Sequence, residues 1–137
     1  MKTLQELKAT KKADTSKLLK DCLVFFAFSN EQFQENKTQL NEGEKYVSMG
    51  AGGYLPKHKV NDFVKGTKSI NKTFNAEMKQ SKKLRYDYIA YELANHEAYY
   101  TGELEDTLYA LGEGYTHKEV RKVYLKELQT EAIQNNL

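Results

Sequence analysis

Hydrophobic residues at helical spacing are the clearest pattern in the chain. The longest stripe follows Pro56 and continues to about residue 80, with members at Val60, Phe63, Val64, Thr67, Ile70, Phe74 and Met78. Recurrence every three or four residues is typical of an amphipathic helix with one buried face. Pro56 suits the first turn of such a helix. The pattern therefore predicts one long helix, weakened locally by Gly66.

Three more apolar stripes fill the second half of the chain. One has Ile89, Leu93, His96 and Tyr100, and after Thr101-Gly102 another has Leu104, Leu108 and Leu111. A third begins after Thr116-His-Lys-Glu119, which has the spacing of a capping box, and contains Val120, Val123, Tyr124 and Leu128. We therefore expect two helices within residues 86–115 and a final helix that frays over residues 134–137.

Short apolar runs in the first half predict strands. Residues 22–28 form a continuous apolar and aromatic run, and residues 46–49 and 53–55 form two shorter ones around a glycine-rich turn. A capping-box spacing at Ser29–Gln32 predicts a helix of about two turns that contains Phe33, and residues 41–44 are a turn signal. The prediction is an α+β fold: a small antiparallel sheet within residues 22–55, packed against several α-helices, with a helical C-terminal half.

The N-terminal residues 1–20 are rich in lysine and carry few apolar side chains. Between Lys8 and Ser16 there is almost no apolar face. We expect a loosely attached helix here, frayed or broken near Asp14. The chain of 137 residues has no linker long enough to divide it, so we expect a single domain over residues 1–137.

The composition is typical of a folded protein that either belongs to a reducing compartment or is indifferent to redox conditions. Apolar residues make up 39% of the chain and aromatic residues 12%, with one proline. Cys22 is the only cysteine and cannot form an internal disulfide. No apolar stretch could span a bilayer and the N-terminus lacks a signal-peptide core, so we expect a cytoplasmic location.

The small net charge of +2 conceals a strong polarity along the chain. Residues 1–85 contain 17 Lys and Arg against 9 Asp and Glu, whereas residues 86–137 contain 4 against 10. Residues 86–115 contain seven acidic residues, seven of the ten tyrosines and no Lys or Arg. Such asymmetry can mark an acidic face for a basic partner or a basic face for nucleic acid. The simpler alternative is that the two halves pair their charges with each other.

Two sets of candidate binding residues follow from this polarity. For a partner protein the candidates are the acidic and tyrosine residues Glu92, Glu97, Tyr99, Glu103, Glu105, Asp106 and Tyr109. For nucleic acid they are the basic residues Lys79, Lys82, Lys83 and Arg85. Neither set matches a named motif.

Catalysis and cofactor binding have weaker signals. Residues 50–53 precede Lys57, His58 and Lys59, but they match neither the dinucleotide nor the phosphate-loop fingerprint, and a structural turn is favoured. Glu92 and His96 lie four residues apart, yet the three histidines are widely separated, which favours a core or interface histidine over a metal ligand. We therefore expect no enzyme activity, no metal and no cofactor.

Three segments of the chain resemble an uncharacterised family of small proteins from bacteriophages and mobile elements of low-GC bacteria and gut bacteroidetes. The segments are Phe25–Phe33, Tyr46–Lys57 and Asn95 through Arg121, so the resemblance spans roughly residues 22–125. It implies a phage origin and carries over no ligand or catalytic role. Phage accessory proteins of this size often disable a host machine, including restriction and CRISPR effectors.

Taken together, these patterns predict a non-enzymatic, phage-encoded binding protein that inhibits a host defence nuclease. Its acidic, tyrosine-rich helical face would enter a basic groove of a CRISPR effector, and its basic segment could touch the guide RNA or DNA. The alternative is a nucleic-acid-binding accessory protein of phage replication or transcription. The two expectations differ in which half of the charge pattern does the binding.

Overall fold

A computed structural model describes residues 2–37 and 43–135 of the chain. The expected turn at residues 41–44 and the expected fraying of residues 134–137 therefore lie partly outside the described residues. Within them the elements follow in this order: α1 (Leu4–Asp21), β1 (Phe25–Phe26), α2 (Asn30–Asn36), β2 (Tyr46–Gly50), β3 (Gly53–Pro56), a 3-10 turn (Lys57–Lys59), α3 (Val60–Lys79), α4 (Lys82–Asn95), α5 (Ala98–Thr101), α6 (Glu105–Leu111) and α7 (His117–Asn135).

These elements confirm the α+β class and the helical C-terminal half. They form two compact units, Met1–Ala76 and Glu77–Leu137, with the boundary inside α3. The first unit contains the sheet, and the second is entirely helical over its described residues. Whether the chain behaves as the expected single domain stays a prediction.

The first unit is built on a three-stranded antiparallel sheet in the order β1-β3-β2. The turn between β2 and β3 is tight because Gly50, Ala51 and Gly52 all have positive φ, at 83°, 52° and 79°. Glycine reaches this region without steric cost. The glycine-rich stretch is thus a hairpin turn, as the sequence favoured.

An aromatic cluster holds α2 on the sheet. The ring of Phe33 lies 5.0 Å from that of Tyr54 and 5.4 Å from those of Phe25 and Tyr46. Ring pairs at these separations add stabilisation beyond the area they bury. The helix begins as predicted, since the Ser29 hydroxyl accepts a hydrogen bond from the Gln32 amide.

Two expectations about the first unit are wrong. The predicted strand over residues 22–28 is only Phe25–Phe26, because Leu23 adopts a positive φ of 58° directly after α1. Phe28, which should have been buried, is 75% exposed. The predicted break in the N-terminal helix is also absent: α1 is continuous, and the Thr15 hydroxyl donates to the Lys11 carbonyl within it.

Gly66 has a packing reason that the sequence did not reveal. A Cβ atom at this position would lie 2.4 Å from the Leu18 side chain. Its absence lets α3 approach α1 closely, and this compensates for the lower helix propensity of glycine. The N-terminal helix is therefore packed against α3 within the first unit.

The second unit has a core drawn from α4 to α7. Ile89, Leu93, Ala98, Thr107 and Val120 are each at most 1% exposed. Thr107 is the buried polar member, and its hydroxyl contacts the Glu92 carbonyl oxygen at 3.5 Å. The final helix is confirmed, and the Thr116 hydroxyl accepts from the Glu119 amide as its cap.

The prediction of two helices within residues 86–115 is wrong, because α4 ends at Asn95 and α5 is a separate short turn. Glu97 adopts a left-handed conformation with φ of 56° between them. This change of direction buries Ala98 completely. Tyr100, which was expected to continue the apolar stripe, is consequently turned away from the core and is 93% exposed.

Candidate functional site

The acidic segment, defined here as Glu97–Glu113, places its carboxylates in solvent. Glu97, Glu103, Glu105, Asp106 and Glu113 are all exposed. Within the described residues none of them forms an ion pair with a Lys, Arg or His side chain. The negative charge of this segment is therefore available to a partner.

Two tyrosines of the acidic segment are almost fully exposed. Tyr100 is 93% exposed and Tyr109 is 91% exposed. On α6, Tyr109 follows Glu105 by four residues and Asp106 by three, so the three side chains share one face of the helix. An exposed aromatic ring beside carboxylates combines a contact anchor with an electrostatic guide.

Helix ends position these side chains. Gly102 has φ of 76° and joins α5 to α6 in a short turn, and α6 buries Leu104, Thr107 and Leu111 on its inner face. Glu105 lies in the first turn of α6, where the helix dipole favours a carboxylate. Its carboxylate accepts a hydrogen bond from the Leu104 amide at 3.2 Å. The buried stripe thus fixes the outward direction of Glu105, Asp106 and Tyr109.

Two predicted partner-binding residues have structural contacts instead of an exposed position. The Glu92 carboxylate is 12% exposed and lies 3.3 Å from Nε2 of His96, the residue that follows the last turn of α4. The Tyr99 ring stacks on Tyr124 at 5.8 Å, and burial raises the pKa of its hydroxyl. The sequence favoured Tyr99 over its neighbour Tyr100, because no glycine signals the end of α4 and the change of direction that exposes Tyr100 could not be predicted.

The predicted basic residues are also divided between different roles. Lys79 and Lys82 have no hydrogen-bond or ion-pair partner within the part of the chain that is described. Lys83 pairs with Asp87 one turn later, at 2.9 Å on an exposed face. Arg85 is committed to a contact inside the second unit. Ser81 caps the N-terminus of α4, and the first turn of this helix includes Lys82 and Lys83.

Arg85 joins α4 to α7. Its guanidinium donates to both carboxylate oxygens of Glu119, at 2.5 and 2.9 Å, and to the Gly114 carbonyl. It also lies 4.1 Å from the centre of the Tyr115 ring. The hydrogen bond and charge of Arg85 hold the pKa of the Glu119 carboxyl below its ordinary value. Glu119 therefore serves this bridge instead of completing the capping box.

A second inter-helix contact lies beside the first. The Tyr86 hydroxyl donates to the Glu127 carboxylate, and the Lys126 ammonium lies 5.2 Å from the centre of the Tyr86 ring. Burial, followed by the bond to Glu127, raises the pKa of Tyr86 to about 12. A common groove is lined by Arg85, Glu119, Tyr86, Lys126 and Lys122. Sequence reasoning missed Lys122 and Lys126, although their spacing of four residues beside Val123 was a usable signal.

Neither a metal site nor a membrane-spanning helix is found among the described residues. They contain no group of three or more His, Cys, Asp or Glu side chains that could hold a metal ion. None of their helices combines the length and the apolar character needed to cross a bilayer. His58, beside the glycine-rich hairpin, lies 3.3 Å from the Glu44 carboxylate.

The molecule is thus an α+β protein with an exposed acidic segment and a basic groove in its helical unit. The sequence profile of a family of unknown function, DUF7659, matches residues 7–131. The chain belongs to this family. No curated protein and no solved structure matches it. The resemblance to an uncharacterised family is confirmed at this level.

Proposed function

We propose that the protein is a phage-encoded, non-enzymatic binding protein that inhibits a host defence nuclease, as anti-CRISPR proteins do, in the cytoplasm of the infected bacterium. The observation that carries the proposal is the acidic segment, where Tyr100 and Tyr109 are more than nine-tenths exposed among carboxylates without paired cations in the described residues.

The chemistry of this surface favours a basic protein groove as its partner. A groove that holds nucleic acid is lined by Lys and Arg, which bind phosphates. The carboxylates of Glu103, Asp106 and Glu113 would occupy the places of phosphates, and complementary charge would speed the encounter. Tyr100 and Tyr109 would supply the buried anchors, since tyrosine is enriched at interface hot spots.

The phage origin and the nuclease target have separate support. They rest on the resemblance of residues 22–125 to small proteins of bacteriophages. An acidic surface suits a protein that blocks a nucleic-acid channel by occupying it. Lys79 and Lys82 would remain available to guide RNA or DNA held in the same complex.

The first experiment captures the partner. Tagged protein is incubated with host lysate at moderate salt, with and without nuclease treatment, and the captured nuclease is then purified and assayed for cleavage. Recovery of one nuclease complex in both samples, together with inhibition of its cleavage by the pure protein, is expected. Recovery of nucleic acid alone, lost on nuclease treatment, would contradict the proposal.

Two variants test the surface itself. Tyr100→Ala/Tyr109→Ala removes both anchors, and Glu103→Lys/Glu113→Lys reverses two charges outside α6, whose first turn is stabilised by Glu105 and Asp106. Loss of an anchor tyrosine costs about 2 kcal/mol of binding, roughly 30-fold in affinity. Both variants should abolish inhibition at concentrations where the wild type inhibits fully.

A matched control keeps the charge change and moves it away. Asp14→Lys/Glu35→Lys alters the net charge by the same amount at two exposed positions of the first unit. This variant should inhibit like the wild type. If it loses inhibition as strongly as Glu103→Lys/Glu113→Lys, overall charge and not the acidic segment is responsible.

The alternative function, a nucleic-acid-binding accessory protein of phage replication or transcription, would use the cations. Because Arg85 and Lys83 have partners, its test is best placed on the residues without them. Lys79→Glu/Lys82→Glu should abolish nucleic-acid binding under this alternative and leave nuclease inhibition nearly unchanged under the first proposal.

A further inference from the structure

The face where α4 packs against α7 contains a groove of about 490 Å³. This volume is within the range of sites for small molecules. Each helix contributes residues at helical spacing: Lys82, Arg85, Tyr86 and Ile89 from α4, and Glu119, Lys122, Val123 and Lys126 from α7. The groove is therefore a product of two packed, continuous helices.

The floor of the groove is apolar and its sides are held by polar contacts. Ile89 and Val123, 1% and 6% exposed, belong to the core of the second unit and line the bottom. Its polar lining includes the Arg85–Glu119 ion pair and Tyr86, whose hydroxyl donates a hydrogen bond to Glu127. These contacts fix the helices that carry the groove, so its shape is preorganised for a ligand.

The charge of the groove is strongly positive. Four cationic side chains and one carboxylate line it, and even with Glu127 included the formal excess is two positive charges. Lys82 and Lys122 have no hydrogen-bond or ion-pair partner among the described residues, whereas the Lys126 ammonium lies over the Tyr86 ring. The Glu119 carboxylate accepts hydrogen bonds from Arg85, and the Glu127 carboxylate accepts one from Tyr86. The uncompensated charge is therefore that of the lysines.

The position of Lys82 adds an independent observation. The first turn of α4 contains Lys82 and Lys83 and no acidic residue. Cations at a helix N-terminus are opposed by the helix dipole. A bound anion near Lys82 would offset this unfavourable interaction, which the free protein otherwise carries.

We propose that this groove binds a nucleoside phosphate, either as a free nucleotide or as one unit of a single strand of nucleic acid. The lysines at 82, 122 and 126 would contact the phosphate, and the half-buried Tyr86 ring, which lines the groove, would receive the face of the base. The site shares Lys82 with the surface proposed to meet nucleic acid, but it contains no residue of the acidic segment, so nucleotide binding by the pure protein can be tested apart from nuclease inhibition.

The test compares two doubly substituted proteins of equal charge. Lys82→Gln/Lys122→Gln removes the two unpaired cations of the groove. Lys118→Gln/Arg121→Gln removes two exposed cations of α7 that do not line it. Binding is measured by fluorescence anisotropy with a labelled decathymidylate and by calorimetry with ATP and with inorganic phosphate, over a range of salt concentrations.

Binding of decathymidylate or ATP that falls at least tenfold in Lys82→Gln/Lys122→Gln and less than twofold in Lys118→Gln/Arg121→Gln would support the site. If decathymidylate binds, the nucleoside phosphate in the groove belongs to a single strand. The slope of log affinity against log salt should then be smaller by about 1.4 in Lys82→Gln/Lys122→Gln, because two phosphate contacts are lost. If ATP alone binds, the source is a free nucleotide.

Four results would overturn the proposal. The first is absence of binding to both decathymidylate and ATP, and the second is an equal loss of affinity in the two doubly substituted proteins. The third is equal affinity for ATP and inorganic phosphate, which would show that the groove makes no contact with the base. An acidic peptide that binds the groove more tightly than either nucleotide probe would also overturn it.

Discussion

The acidic segment and the α4–α7 groove lie in the same helical unit but use charge in opposite ways. In the segment, the exposed carboxylates have no ion-pair partner among the described residues and two tyrosines stand in solvent. In the groove, Arg85 and Glu119 bind each other and only the lysines are left over. In this unit the partly buried Arg85–Glu119 pair joins two helices, whereas the unpaired charges lie on the two surfaces that can meet a partner.

Arg85→Ala should have the largest effect on the stability of the helical unit. The substitution removes hydrogen bonds to Glu119 and Gly114 and the contact with the Tyr115 ring. We expect the free energy of unfolding to fall by about 2–4 kcal/mol, because a partly buried carboxylate is left without its partner. Urea denaturation followed by circular dichroism measures the change.

The control for this prediction is Lys83→Ala, which breaks an ion pair of the same helix. The Lys83 side chain is 84% exposed, so its pair with Asp87 should contribute little. Equal destabilisation by the two substitutions would contradict the assignment of Arg85 as a structural bridge.

A smaller loss is expected for Tyr86→Phe, since it removes only the hydroxyl that donates to Glu127. About 1–2 kcal/mol should be lost at pH 8 because the acceptor is charged. Tyr115→Phe is the matched control: the Tyr115 hydroxyl is buried without a hydrogen-bond partner among the described residues, so its removal should be neutral or stabilising. A larger loss for Tyr115→Phe than for Tyr86→Phe would refute the role given to Tyr86.

The pH dependence of stability provides a further test of the contacts made by Tyr86 and Glu119. The pKa of Tyr86 and that of Tyr88 are raised from 10.0 to about 12. Since the pKa of these hydroxyls is higher in the folded than in the unfolded protein, their contribution to the free energy of unfolding is complete below pH 10. It disappears as the pH rises toward 12. The Glu119 pKa is lowered, so its contribution is present above the ordinary value of 4.5 and disappears in acid. Denaturation midpoints across this range should be constant between pH 6 and 9 and fall on both sides, and Tyr86→Phe should reduce the alkaline fall.

The smallest effect on stability is expected in the acidic segment. Tyr100→Ala/Tyr109→Ala should change the free energy of unfolding by less than about 0.5 kcal/mol per site, since both rings are in solvent. The same denaturation experiment checks this. A loss of 2 kcal/mol or more would mean that the tyrosines stabilise the fold, and any loss of inhibition in this variant would then need another explanation.

Much of the fold could be predicted from spacing alone. The stripes of α3 and α7 and the strands β2 and β3 were all placed within a few residues. One error was the break predicted near Asp14 in the continuous helix α1, and two others fell at Leu23 and Glu97, where non-glycine residues adopt positive φ. Such conformations are imposed by the packing that follows them, and single-residue propensities do not signal them.

For the candidate site, the sequence predicted the sign and location of charge but not its use. It identified the acidic segment and the cations near residue 85. It could not tell Tyr99, stacked on Tyr124, from exposed Tyr100, nor Arg85, bound to Glu119, from unpartnered Lys82. In each case the deciding contact is made by α7 or depends on where α4 ends.

The α+β class, the helical second half and the division of the chain into basic and acidic parts could all be predicted from the residues in order. The packing of the helices sets which charges pair, which aromatic rings are buried and that α4 and α7 line a basic groove. This difference arises because periodicity and charge are properties of residues close in the chain. Pairing and burial depend on residues such as Arg85 and Glu119, which are 34 positions apart and meet only after the helices pack.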